Sequence, residues 1–226
     1  INPIANPALS YVTLRDFIPI STIAAVSIVI TGRKDLPVNN LRELLNLAKS
    51  NPGKFRCGTA GPGSIGHLSL EMIKSLAGVD ILHVPYKGGP PAITDMMGGR
   101  LDLMFYSLAV VRQQIEGGRL RALAVTSEKR FPTLPYIPTI AESGVPGYAM
   151  SNWYGLLVQG NTPRSAVMKL HVEIVRILGL PEIRERLVNE GATVVASTPD
   201  EFIAFLKKEM ATNAKIVQVS GMSASN

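Results

Sequence analysis

Apolar residues follow two different spacings along the chain. Short runs such as Ile81-Leu82-His83-Val84 are typical of buried strands, whereas apolar residues recur every three or four positions in segment 65–77, as on one face of a helix. The predicted strands are 17–31, 54–57, 81–84, 101–105, 120–126, 153–158 and 193–196. The predicted helices are 41–49, 64–77, 90–97, 109–116, 163–178, 181–190 and one that begins at the capping box Thr198-Pro199-Asp200-Glu201. Because strands and helices alternate, the sequence predicts an α/β fold with mostly parallel sheets flanked by helices.

The connections between these elements predict two lobes. Strands within 32–127 can form a sheet of their own, whereas strands near the two chain ends can only share a second sheet. Prolines and glycines accumulate between residues 131 and 147, which is typical of a connection. We therefore predict one lobe from residues 1–31 and 145–226 and another from 32–144. Ligands of open α/β sheets bind beyond the carboxyl ends of strands, so we expect a binding site between the lobes.

A glycine-rich segment joins the predicted strand 54–57 to the helix that begins near Ser64. Backbone N–H groups at the start of a helix have no partner inside the helix and carry partial positive charge, so such a turn favours an anion. We expect a small carboxylate, held by backbone N–H groups and by two hydroxyls, with a histidine one turn into the helix. The residues expected around this anion are Thr59, Ala60, Gly61, Gly63, Ser64 and His67.

The same segment matches a dinucleotide-binding pattern, because Gly61, Gly63 and Gly66 spell G-x-G-x-x-G. In dinucleotide-binding folds an acidic residue after the next strand binds the ribose, but strand 81–84 is followed by Pro85-Tyr86-Lys87. A proline also stiffens the turn where the backbone should approach a pyrophosphate. Two alternatives to a carboxylate site remain: an enzyme that binds a nucleotide or phosphorylated substrate here, and a turn that binds nothing.

Polar side chains follow other predicted strands as well. Tyr86, Tyr106 and Ser107 each lie within two residues of the end of a strand, where a ligand of the same sheet would lie. The segment Ser151-Asn152-Trp153 holds the single tryptophan among polar neighbours. Trp153 is therefore expected either in the core or in the wall of a binding site.

Composition narrows the classes of function. Apolar residues make up 46% and charged residues 18%, as in a globular chain. Lys and Arg outnumber Asp and Glu by 23 to 17, but this surplus is spread along the sequence, so we expect no nucleic-acid partner. The longest apolar stretch, 18–30, is interrupted by proline and hydroxyl residues and is too short to span a bilayer. We expect a protein that is not embedded in the membrane.

Catalytic and metal-binding patterns are weak. The three histidines lie far apart in sequence without companion ligands, and no serine has the G-x-S-x-G context of a nucleophile. Cys57 ends an apolar strand, which indicates a buried structural thiol. Asp95 and Asp102 flank a Gly-Gly pair, where solvated turn residues are expected. The sequence therefore predicts no metal site, no cofactor and no enzymatic activity.

Four sequence blocks resemble one known family. They are Gly58-Thr59-Ala60-Gly61-Pro62-Gly63-Ser64, His83-Val84-Pro85-Tyr86-Lys87-Gly88, Leu120-Arg121-Ala122-Leu123-Ala124-Val125-Thr126-Ser127 and Pro146-Gly147-Tyr148. In this order they resemble the Bug-type solute receptors of tripartite tricarboxylate transporters, over nearly the whole chain. The resemblance implies a two-lobed type II periplasmic binding fold that holds a small carboxylate between its lobes.

The resemblance also implies a location, partners and site residues. It implies a periplasmic receptor that delivers its carboxylate to a membrane permease without chemistry; a sensory module of the same fold is the alternative. The turn 59–64 resembles the second-lobe loop of the family. Four further residues match positions that line the cleft: Tyr106, Ser107, Ser151 and Trp153.

Two departures from the family pattern affect these expectations. Family members are usually longer and begin with a strand and a P-G-G-x-x-D loop, which nothing in this chain matches. We therefore expect a chain without its signal peptide and a first lobe that lacks its opening βαβ part. Tyr106 stands where many relatives carry Asp, which favours a dicarboxylate or aromatic acid over a ligand with an amino group.

Overall fold

The computed structural model of the chain describes residues 9–26, 28–131, 134–189 and 191–220. The chain divides at Val26 and at Asn152 into two compact units. Unit 1 contains the described residues up to Val26 and from Asn152 onward, and unit 2 contains those from 28 to 151. The sequence predicts lobe limits after residues 31 and 144 instead.

Strands and helices alternate through most of the chain, and the α/β class is confirmed. The strands are β1 (Phe17–Val26), β2 (Ile28–Arg33), β3 (Arg56–Thr59), β4 (Leu82–Pro85), β5 (Leu103–Ser107), β6 (Leu120–Val125), β7 (Asn152–Gln159) and β8 (Ala192–Val194). The helices are α1 (Thr13–Asp16), α2 (Leu41–Ser50), α3 (Ile65–Ala77), α4 (Gly89–Met97), α5 (Leu108–Glu116), α6 (Arg164–Leu178), α7 (Pro181–Asn189) and α8 (Pro199–Ser220). Helix 181–190 was predicted to include Glu190, which lies outside the described residues.

Unit 1 is built on a three-stranded sheet in the order β7-β1-β8, with both pairs antiparallel. Helix α8 packs on this sheet through Phe202, which is fully buried and makes an edge contact with Trp153 of β7 at 5.7 Å between ring centroids. A Cβ on Gly155 would lie 2.2 Å from the Phe202 ring, so this strand position has no room for a side chain. The predicted capping box starts α8, because Thr198 and Glu201 exchange hydrogen bonds of 2.8 and 3.2 Å.

Unit 2 is built on a five-stranded sheet in the order β4-β3-β5-β2-β6. Strand β3 is parallel to β4 and β5, whereas β2 is antiparallel to β5 and β6. Four of the five strands therefore run in one direction, and β2 runs against them. Helices cover the sheet and bury apolar residues such as Leu68 of α3, Met96 of α4 and Val111 of α5.

Two sequence-based predictions about the strands are wrong. The predicted single strand 17–31 is two strands, because β1 ends at Val26 in one sheet and β2 begins at Ile28 in the other. The prediction of mostly parallel sheets fails for unit 1, and in unit 2 it fails at β2. The reason is connectivity: a helical crossover makes neighbouring strands parallel, but β2 is reached directly from β1.

Residues between 134 and 151 pack on unit 2. Tyr148 is almost fully buried and its hydroxyl donates to the carbonyl of Ser69 at 3.3 Å. The Met150 N–H donates to the carbonyl of Thr126 at 2.8 Å, directly after β6. The predicted connection is therefore a part of the unit 2 core.

Candidate functional site

Three strands of unit 2 end at the same edge of its sheet, and each leads into a helix. β3, β4 and β5 are parallel neighbours, so their carboxyl ends lie together; we call this the carboxyl edge. A short turn joins β3 to α3, a loop joins β4 to α4, and β5 runs directly into α5. Three helix N-termini therefore face this edge, and their partial positive charges favour an anion there.

The turn between β3 and α3, residues 59–64, is called the glycine turn below. Gly61 and Gly63 have φ of 104° and 71°, values that residues with a side chain adopt only with strain. Gly66 has a different role, because a Cβ there would lie 3.0 Å from the carbonyl oxygen of Phe105. This glycine lets α3 approach β5 closely. The three glycines of the G-x-G-x-x-G pattern are thus explained by turn shape and packing alone.

Both hydroxyls of the glycine turn are engaged in its own hydrogen bonds. Ser64 caps α3: its Oγ accepts the N–H of His67 at 3.2 Å and donates to the carbonyl of Gly61 at 2.7 Å. Thr59 is fully buried, and its Oγ1 accepts the N–H of Gly61 at 3.2 Å. A hydroxyl has one proton, so Ser64 has none left to donate to a carboxylate.

Other donors of the turn have no such partner. Among the residues that the structure describes, no hydrogen bond is donated by the backbone N–H of Ala60, Ile65 or Gly66. Ala60 precedes the turn's first glycine and is exposed, and Ile65 and Gly66 are the first two residues of α3. Backbone N–H groups, rather than hydroxyls, are therefore the donors that this turn offers to an anion.

Two histidines lie against the glycine turn. His67 of α3 and His83 of β4 stack with ring centroids 3.8 Å apart and an interplanar angle of 10°. The Nδ1 of His67 accepts the N–H of Gly63 at 3.2 Å, and the Nε2 of His83 lies 2.6 Å from the Oγ1 of Thr59. His67 was predicted at this site. The sequence gives no sign that His83, within the predicted strand 81–84, reaches the turn.

Both rings are held in the neutral form. Burial lowers the pKa of His67. Burial also lowers the pKa of His83, to about 4, with repulsion from His67 in the same direction and the carboxylate of Glu71 opposing it. A neutral imidazole keeps an acceptor nitrogen, which the N–H of Gly63 requires.

Two tyrosines order the loop after β4. Tyr86 donates its hydroxyl to Asp95 at 2.8 Å, and its N–H donates to the carbonyl of Thr59 at 2.9 Å. Tyr106 donates its hydroxyl to the carbonyl of Gly88 at 2.9 Å. Burial raises the pKa of each phenol to about 12, so both are neutral at the carboxyl edge. The loop is thus attached to β3 through Thr59 and to β5 through Tyr106.

Ser107, Ser151 and Trp153 occupy different surroundings. Ser107 is the partly exposed N-cap residue of α5, and its side chain makes no capping hydrogen bond. Ser151 is the partly exposed last residue of unit 2. Trp153 belongs to unit 1, where its Nε1 donates to Glu209 at 3.0 Å. The structure brings the glycine turn, Tyr86, Tyr106 and Ser107 together on one sheet, whereas Trp153 packs on α8.

Two aspartates differ from their expected setting. Asp102 is buried and accepts from the Arg33 Nε at 3.1 Å and from the Arg56 N–H at 2.8 Å. Asp95 binds Tyr86 and Arg100. The expectation of a solvated turn residue is wrong for Asp102, because the turn before β5 brings its carboxylate against β2 and β3, whereas Asp95 stays partly exposed. Cys57 is buried as expected, and burial raises the pKa of its thiol.

A surface cavity of about 420 Å³ lies elsewhere in unit 2, between α2 and the last residues of α3. Its cations, Arg42 and Lys49, are exposed to water, which weakens their attraction for a small anion. The carboxyl end of α3 adds partial negative charge. The carboxyl edge is therefore the better anion site. Within the described residues, no group of three or more potential metal ligands lies together. Each helix of the described part of the chain is too short or too polar to span a bilayer.

A family model described as "Tripartite tricarboxylate transporter family receptor" matches residues 1–222. Among curated proteins, one from the tcbD-tcbE intergenic region of Pseudomonas sp. (strain P51) is 36% identical over 212 residues, 93% of this chain and 63% of that protein. Protein BugT of Bordetella pertussis is 31% identical over 215 residues, 95% of this chain and 66% of BugT. The chain thus spans less than two thirds of the length of these relatives.

Solved structures share the fold. The periplasmic binding protein BugD is 36% identical with a TM-score of 0.77, covering 92% of this chain and 70% of that one. An R. palustris protein solved with adipate is 33% identical with a TM-score of 0.83, covering 98% and 76%. MatC from Rhodopseudomonas palustris, solved with bound malate, is 26% identical with a TM-score of 0.81, covering 96% and 74%. The fold is that of periplasmic binding proteins.

Proposed function

Because the chain belongs to the receptor family of the tripartite tricarboxylate transporters, we propose that it is a periplasmic receptor for a small carboxylate. The carboxylate binds at the carboxyl edge and is delivered unchanged to a membrane permease. The observation that carries this proposal is the glycine turn, whose N–H groups at Ala60, Ile65 and Gly66 have no hydrogen-bond partner among the described residues. A carboxylate supplies both the acceptor oxygens and the negative charge that such groups favour.

Binding at this edge relies on hydrogen bonds and the helix dipole rather than on a cation. A hydrogen bond to a charged group contributes about 1.5–3 kcal/mol, and the N-terminus of a helix adds about 0.3–1 kcal/mol. Thr59 and Ser64 contribute indirectly, because their hydroxyls hold the turn in shape. Neutral His67 leaves the backbone donors as the main source of attraction.

The ligand class follows from the chemistry of the edge and from the relatives. Adipate and malate, which occur with two of the solved relatives, are both dicarboxylates. Tyr106 is a neutral phenol whose hydroxyl binds Gly88, so residue 106 offers no carboxylate to an ammonium group. We therefore propose a dicarboxylate or an aromatic acid rather than an amino acid. Ser107 and Ser151, the other predicted site residues of unit 2, are proposed to complete the site.

A pair of glycine substitutions tests the proposal. Gly63 and Gly78 lie at the two ends of α3, both have positive φ (71° and 63°), and a Cβ on either would meet nothing within 4 Å. Ala at either position costs a similar strain, about 1 kcal/mol. We expect Gly63→Ala to weaken carboxylate binding at least about tenfold, because it shifts the donors of the turn, and Gly78→Ala to leave binding unchanged.

Calorimetric titration measures this difference with adipate, malate, an aromatic acid, glutamate and a nucleotide. Heat from one of the acids, lost in Gly63→Ala and kept in Gly78→Ala, is the expected result. Heat from the nucleotide alone would reject the proposal in favour of the alternative function. Unchanged binding in Gly63→Ala would place the site away from the glycine turn.

A further inference from the structure

The stacked histidines are attached to the glycine turn at two separate points. On one side, the N–H of Gly63 donates to the Nδ1 of His67 at 3.2 Å. On the other side, the N–H of Gly61 donates to Thr59, whose Oγ1 lies 2.6 Å from the Nε2 of His83. The two glycines of positive φ are therefore each held, directly or through one hydroxyl, by one ring of the pair.

These contacts decide which donors of the turn are occupied. The histidine pair and Thr59 take up the N–H groups of Gly61 and Gly63. The N–H groups of Ala60, Ile65 and Gly66 keep no partner among the described residues. A turn held in this way has two occupied N–H donors and three that are left for a ligand. Its shape is fixed before a ligand arrives, which lowers the entropy cost of binding.

The geometry also selects one tautomer of His67. Because Nδ1 accepts the N–H of Gly63, the ring proton lies on Nε2, which is 3.9 Å from the carboxylate of Glu71. Glu71 in turn binds Lys74 at 2.9 Å. Glu71, Lys74 and the two rings are the titratable groups that act on the pair. The second ring, His83, comes from β4, so the contact joins helix and sheet.

We propose that His67 and His83 are positioning residues: the stacked pair holds the glycine turn in the shape that presents its unoccupied N–H groups to the anion. This inference rests on the proposed function for its binding readout, but the shape of the turn can be measured without a ligand. Neither histidine needs to touch the carboxylate. Each acts through Gly63 or through Thr59.

Four variants separate positioning from simple packing. His67→Phe and His83→Phe keep an aromatic ring for stacking but lose the polar atom that meets the turn. His67→Asn keeps an acceptor near the position of Nδ1, and His83→Gln keeps a polar atom near Nε2. His171→Phe on α6 of unit 1 is the control for the loss of a histidine outside the site.

The expected result is that the Phe variants bind adipate or malate about fivefold to tenfold more weakly, as the loss of one hydrogen bond implies. The Asn and Gln variants and the His171 control stay within about twofold of the unchanged protein. Rings that merely fill space would give Phe variants with full affinity, and that outcome would overturn the proposal.

A ligand-free measurement accompanies the titrations. Imidazole ¹⁵N spectra at pH 7 are expected to give His67 with an unprotonated Nδ1, and the amide proton of Gly63 is expected downfield. That amide signal moves in His67→Phe and is retained in His67→Asn. A protonated Nδ1 would overturn the proposal. If the spectra are as expected but neither adipate nor malate binds, the positioning of the turn stands and the carboxylate function fails.

Discussion

At the residue scale, the candidate site depends on where protons and lone pairs lie. The sequence predicts Thr59 and Ser64 as donors to the ligand, whereas the structure engages both hydroxyls within the turn. A hydroxyl near a helix N-terminus caps it when geometry allows, because the helix leaves N–H groups unpaired. The spacing of residues in the sequence predicts the helix cap. It does not show which acceptor receives the hydroxyl proton of the capping residue.

Stability should decrease in weak acid because of His83. Its pKa in the folded protein is about 4, below the usual value of 6.5. The unfolded chain therefore takes up the proton first as pH falls, and stability is lost between about pH 6.5 and 4. Because the ring is partly exposed, we expect a loss of about 2 kcal/mol.

Urea unfolding at pH 7, 5.5 and 4 checks this expectation, with His83→Gln as the comparison because glutamine does not titrate. Carboxylates titrate in both proteins, so the informative quantity is the difference between their free energies of unfolding at each pH. The two curves of unfolding free energy against pH should converge toward pH 4. Curves that stay parallel would contradict a lowered pKa for His83.

At the element scale, Asp102 connects two strands that lie far from it in the sequence. Its carboxylate accepts from Arg33 of β2 and from the N–H of Arg56 of β3, just before β5 begins. The same Arg33 also pairs with Asp35, which is exposed. The chain thus offers a buried and an exposed partner of one arginine. Their contributions to stability should differ.

We expect Asp102→Ala to lower the free energy of unfolding by about 2–4 kcal/mol, because it leaves the partly buried N–H of Arg56 without its acceptor and removes the buried one of the two carboxylates that Arg33 binds. Asp35→Ala should cost less than about 1 kcal/mol, as exposed ion pairs usually do. Chemical denaturation of both variants measures this. Equal costs would mean that the burial of Asp102 is unimportant.

The packing of α8 on β7 gives a second element-scale prediction. Phe202 is fully buried and Phe205 is partly exposed, and both contact Trp153 with centroid distances of 5.7 and 5.4 Å. Removal of a buried phenyl ring leaves a cavity, so Phe202→Ala should cost about 3–5 kcal/mol. Phe205→Ala should cost clearly less, because solvent already reaches that ring.

The only tryptophan of the chain reports on this helix directly. The unfolding midpoint, followed by tryptophan fluorescence, should shift to a lower denaturant concentration in both variants. The shift should be much larger for Phe202→Ala than for Phe205→Ala. Similar shifts in the two variants would argue against the buried position of Phe202.

At the scale of the whole molecule, the two units have different sheet architectures. The alternation of predicted strands and helices along the sequence does not distinguish them. Unit 1 has an antiparallel sheet and unit 2 a mixed one, although the same kinds of segment build both. The change occurs within the predicted strand 17–31, where the chain passes from β1 in one sheet to β2 in the other. The spacing of apolar residues along the sequence indicates which residues are buried, but it does not indicate which sheet they are buried against.

The sequence by itself determined the order of strands and helices, apart from α1 and the division of segment 17–31 into β1 and β2. It also determined the helix caps at Ser64 and Thr198 and the glycine turn at the end of β3. These features depend on neighbouring residues, so local spacing and backbone preference are sufficient. Only the tertiary structure decided that His83 meets Thr59, that Asp102 is buried and that Trp153 packs on α8. Those contacts join residues far apart in the chain, and their distances are fixed by strand order and register, which local sequence does not encode.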